Sequence, residues 1–109
     1  MKRAFKEAWK AELRNPENKQ GTDLLCSLDG SRCCLGVAAD LANVPKQLSE
    51  VGFAYDFEVV RYRERVEIPP PGWMGLSADD IYVLTHMNDG RKTFPQIADW
   101  IEQNIVPED

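Results

Sequence analysis

The last third of the chain carries two helix starts separated by one stop, and this punctuation constrains the fold more than any other feature. Ser77-Ala-Asp-Asp80 has the form of a capping box, a hydroxyl at the N-cap and a carboxylate three residues on. Asp89-Gly90 reads as a stop. Thr93-Phe-Pro-Gln96 repeats the start signal, with a proline that the first helical turn tolerates. Phe94, Ile97, Ala98, Ile101 and Ile105 then recur at helical spacing and form an apolar stripe. The pattern predicts a C-terminal αα-hairpin.

Toward the N-terminus the signals alternate. Residues 2–14 read as an amphipathic helix, with Phe5, Ala8, Trp9 and Leu13 on one face and lysines and glutamates on the other. Asn15-Pro16 ends it, because a residue before proline avoids helical geometry. Asp29-Gly30 marks a tight turn, predicting a short hairpin of residues 22–28 with 31–34. Leu35 to Asn43 reads as a small-residue helix closed by Val44-Pro45. In FAYDFEVVRYRERVEI, Val60, Tyr62, Val66 and Ile68 alternate with charges, as in one or two exposed edge strands. Pro69-Pro70-Pro71-Gly72 stops that segment, and Trp73 to Leu76 is expected to drop an anchor into the core. The expected architecture is a single α+β domain of about four helices packed on a small antiparallel sheet.

Composition enters through charge. The 109 residues hold 13 Lys and Arg against 18 Asp and Glu, a net charge of −5. That balance opposes nucleic-acid binding, which gains affinity from cations on phosphates. The charge is also divided, with cations gathered in residues 1–20 and anions in the last eleven, and it reads as two solvated helix faces. The first residues lack the apolar core of an export signal, and no stretch approaches the length of a membrane span. A cytoplasmic location with reduced thiols and no membrane contact is expected.

The candidate chemistry is sparse. Cys26, Cys33, Cys34 and His86 are the soft metal donors, but Cys33 lies seven positions after Cys26 and is adjacent to Cys34. Structural zinc sites use paired spacings of two to four residues, so no metal is expected. Cys33 or Cys34, near a predicted helix start, is a candidate thiol nucleophile with His86 as base and Asp40 or Asp89 as orienting carboxylate. Phosphate-cradling glycine loops and a nucleophile elbow are absent. The stretch VLTHMNDGRKTFPQIADWIEQN has the cadence of a helix-turn-helix. Its last helix, however, offers Gln96, Asp99, Glu102 and Gln103 rather than cations, and no reader helix is expected after it.

Several segments together resemble a family. Lys19-Gln20-Gly21, the run CCLGVAADL at 33–41, Trp73-x-Gly75-Leu76 and MNDGxxTFPQIADWIE at 87–102 resemble small uncharacterised proteins of tailed bacteriophages and prophages. Met87 and Gln96 stand where that pattern has leucine and glutamate. The resemblance implies no activity, catalytic residue or cofactor. It implies an accessory protein that binds and modulates or inhibits a host protein, and for such a binder an exposed apolar patch around Tyr55, Phe57 and Tyr62 is expected. The second expectation is a protein that sequesters a small ligand or nucleotide in a polar pocket formed by Gln20, Cys33, Cys34, Asn88 and Asp89. The third is the thiol enzyme.

Overall fold

The computed structural model describes residues 1–50, 52–57 and 69–108. Among these residues the regular structure is four α-helices, one 3-10 turn (Trp73–Gly75) and one two-stranded antiparallel sheet: α1 (Arg3–Arg14), α2 (Cys34–Leu41), β1 (Lys46–Leu48), β2 (Phe53–Tyr55), α3 (Ala78–Asp89) and α4 (Phe94–Asn104). The chain is α+β. Both capping boxes form, with Ser77 and Asp80 closing the start of α3 and Thr93 and Gln96 closing that of α4. The whole stripe from Phe94 to Ile105 is buried. The most extensive packing of α4 is against α1, with α3 a lesser neighbour, so the C-terminal pair is clamped by the first helix.

That clamp corrects the reading of charge. Ala8 faces solvent, whereas Lys6 and Lys10 are buried beside Trp9 and Leu13. Lys6 Nζ donates to the Glu102 carbonyl at 3.2 Å, Lys10 pairs with Glu102 and Glu7, and Arg14 Nη2 lies 2.7 Å from Asp99 Oδ1. The basic N-terminal helix and the acidic C-terminal helix therefore neutralise each other across one seam. The aliphatic lysine stems lie in the interface while the charged heads meet at its rim.

The turn at Asp29-Gly30 forms, with Gly30 at φ +85° and Gly30 N donating to Ser27 O at 3.0 Å. The hairpin expected around it shrinks to isolated bridges: Cys26 opposite Arg32, Gln20 beside Arg32, and Ser27 opposite Gly52. These bridges continue the sheet sideways from β2, which pairs with β1 in the register Lys46–Tyr55, Gln47–Ala54 and Leu48–Phe53. The sheet among the described residues pairs 46–48 with 53–55, and the strands expected over Val60, Tyr62, Val66 and Ile68 fall outside the described residues. Helix α2 starts at Cys34 and stops at Leu41. It packs so closely on the preceding loop that a Cβ at Gly36 would stand 1.9 Å from Leu25 O, and only glycine fits there. Helix α3 ends where expected, but the left-handed residue is Arg91, at φ +71°, and not Gly90. Leu76 is the anchor after the prolines and is wholly buried.

Candidate functional site

The residues expected to form a polar pocket do meet. They meet as a clasp between helix ends. Asn88, in the last turn of α3, is 1% exposed. Its Oδ1 accepts from Cys34 N and from Gln20 Nε2, both at 3.1 Å, and its Nδ2 donates to Gly21 O at 2.8 Å. Gln20 continues the chain of bonds, with Nε2 donating to Lys92 O at 2.7 Å and Oε1 accepting from Phe94 N at 3.0 Å. Cys34 and Phe94 are the first residues of α2 and α4, whose leading N–H groups have no partner within their own helices. Two side-chain amides therefore cap two helices from distant points of the chain. Asp89 Oδ1 completes the cluster by accepting from Asp23 N at 3.2 Å.

Little room is left inside it. A cavity of about 30 Å³ lies among Asp23, Leu24, Leu25, Cys33, Leu35, Thr85, Asn88 and Asp89. That is on the order of the volume of one water molecule. Among the described residues, no buried side-chain nitrogen or oxygen lacks a hydrogen-bond partner. The amides of Gln20 and Asn88 are thus occupied by the protein itself.

The thiols share that commitment. Cys33 is the N-cap of α2, its Sγ accepting from Gly36 N at 3.4 Å, and Cys34 Sγ lies 3.6 Å from Leu84 O. Burial pushes the Cys33 thiol up to about 11, outweighing the backbone N–H groups that favour the thiolate. Burial pushes Cys34 up as well, aided by Cys33. Both are neutral S–H groups at pH 7. His86, two residues from Asn88 and therefore on another face of α3, packs against Tyr82 in a tilted arrangement with ring centroids 4.1 Å apart. Asp40 is engaged elsewhere. It receives Tyr55 Oη at 2.8 Å, Arg32 Nη1 at 2.7 Å and Lys46 Nζ at 3.1 Å, tying α2 to the sheet. Burial opposes its ionisation, but these three bonds prevail and hold the carboxyl below its ordinary range. Among the described residues, no group of three or more His, Cys, Asp or Glu side chains is arranged to hold a metal ion.

The expected apolar patch is core instead. Tyr55 is 1% exposed and Phe57 5%, and Phe57 packs between Tyr55 and Trp73. The reason is local. β2 carries Tyr55 inward, and the phenol finds its partner in Asp40. Tyr62 lies outside the described residues. What is open is a groove of about 270 Å³ lined by Pro69, Pro71, Ala78, Ile81, Tyr82, Thr85 and His86, with almost entirely apolar walls and Tyr82 65% exposed. Its helical wall is legible in principle, since Ala78, Tyr82 and Thr85 repeat at i, i+4, i+7 beside the core row of Ile81, Leu84 and Asn88.

Comparison with protein-family models, with characterised proteins and with solved structures finds no match for this chain. Among the described residues, no helix is long and apolar enough to cross a membrane.

Proposed function

We propose that this chain is a non-enzymatic binding protein that engages a protein of a bacterial host cell and modulates or inhibits it, as its resemblance to small phage-encoded proteins implies. The observation that carries the reading is the contrast on α3. The polar residues Gln20, Cys33, Cys34 and Asn88 of the resembling segments are consumed in capping and packing, and both thiols of the cluster are neutral. The apolar groove beside them stays open, with an exposed aromatic on its rim. A concave apolar surface bordered by an aromatic is the kind of feature on which protein partners anchor.

The test is direct. The full chain, immobilised and exposed to bacterial lysate, retains a protein that free chain competes off, and the purified partner binds with saturable stoichiometry in a calorimeter. A lysate that leaves nothing on the resin beyond a control domain overturns the reading.

A further inference from the structure

Resting on that reading, we infer that the groove on α3 takes a short extended segment of a protein partner that carries one large apolar side chain and, about three residues away, a lysine or arginine. The groove and the small cavity of the clasp are neighbours, since Thr85 lines both. Ala78, Tyr82, Thr85 and Asp89 follow one another at i, i+4, i+7 and i+11, and so form one row along the helix. The row is apolar at its Pro69 and Pro71 end and acidic at its other end, where Asp89 and Asp23 sit together. The ion pairs among the described residues leave both of these carboxylates without a cation.

Size and distance set the occupant. A space of about 270 Å³ with apolar walls has room for one bulky side chain. From Tyr82 to Asp89 the helix rises about 10 Å at 1.5 Å per residue. An extended peptide covers that distance in about three residues. The cation end supplies orientation, since a carboxylate pair beside an apolar slot selects against an anion at the same point in the ligand.

Two peptides serve as probes, Gly-Ser-Trp-Gly-Ser-Arg-Gly-Ser and the same sequence with Glu for Arg, each titrated into the nitrogen-15-labelled full chain. The arginine peptide is expected to shift the amide signals of Ala78, Tyr82, Thr85, Asp89 and Asp23 in a saturable way, with the glutamate peptide at least tenfold weaker. The double variant D23N/D89N is expected to abolish the discrimination while unfolding as the wild type does. An asparagine side chain at position 89 retains an acceptor for the residue 23 N–H, and asparagine tolerates positive φ at position 23. The inference fails if millimolar arginine peptide moves none of these signals, if both peptides bind equally, if the shifts centre elsewhere, or if the groove signals vanish through self-association before peptide is added. Ala78→Trp separates this from the broader reading, since Ala78 is exposed and the new ring fills the groove without entering the core. A partner captured by wild type and lost by A78W supports the groove. Equal capture by both overturns the groove alone, and capture by neither overturns the binding reading itself.

Discussion

Two polar regions hold this domain together, and they do so by opposite means. At the clasp, the bonds of Asn88 to Gln20, Gly21 and Cys34 are between neutral groups around one buried amide, and those that Gln20 and Cys34 make to it join segments more than fifty residues apart. The seam between α1 and α4 is ionic, with Glu102 and Asp99 largely in solvent and the side chains of Lys6 and Lys10 enclosed. Losing a buried amide leaves its partners unpaired in a medium without water, whereas losing a surface charge leaves its partner solvated. Stability should therefore follow the clasp far more steeply than the seam, although the seam holds the larger charges.

The sharpest way to break this comparison is Asn88→Ala. The change strips the acceptor from Cys34 N, the bond from Gln20 Nε2 and the donor to Gly21 O, all at one buried point. Each unpaired buried group costs roughly 1–3 kcal/mol, so a loss of about 3 kcal/mol in urea unfolding is expected. The loss should be independent of pH from about 5 to 9 and of salt, because no group of the amide titrates. A loss below about 1 kcal/mol would mean that water replaces the amide and that the clasp is not the stronger region.

The legibility of the fold follows the same division. Local signals are readable: both capping boxes, the apolar stripe of α4 and the Asp29-Gly30 turn depend on residues within four positions of one another. The clasp is half readable. Gln20, Cys33, Cys34, Asn88 and Asp89 stand out as a group, but spacing alone does not tell a pocket from a knot of bonds that fills itself. What stays hidden depends on packing between distant elements. Lys6 and Lys10 look like solvent-facing residues until α4 is laid against them, and Tyr55 and Phe57 look like a surface patch until Asp40 and Trp73 close over them. The groove is hidden because its other wall, Pro69 and Pro71, reads in sequence only as a strand stop.

A middle-sized effect probes what the seam is made of. Lys10 is 6% exposed although its ammonium group is bound by Glu7 and Glu102 at the rim. If the enclosed stem contributes more than the charge, Lys10→Met should fall within about 0.5 kcal/mol of wild type, since a surface ion pair is worth roughly 0–1 kcal/mol. Lys10→Ala should cost about 1–2 kcal/mol through lost packing. Equal losses in the two variants would place the seam's contribution in its charges and bring it closer to the clasp.

The smallest expected effect is also the most diagnostic, because it varies with conditions under which the clasp does not. Hydrogen bonding by Lys10 holds the Glu102 carboxyl below its ordinary value of 4.5, and hydrogen bonding by Glu102 raises the Lys10 ammonium above its ordinary 10.5. A carboxyl depressed by folding stabilises the fold above its unfolded value, and that contribution disappears as pH falls through the folded value. An ammonium raised by folding stabilises below its unfolded value, and its contribution disappears as pH rises through the folded one. The difference between wild type and Glu102→Gln should therefore be flat between about pH 5 and 10, small in size, and lost at both ends. Within that window molar salt should shrink it, since the pair lies at the rim and the Debye length falls to about 3 Å at 1 M. A difference that persists once the Glu102 carboxyl is protonated, or that salt leaves untouched, would mean that Glu102 acts through packing, and the contrast between an ionic seam and an amide-held clasp would no longer hold.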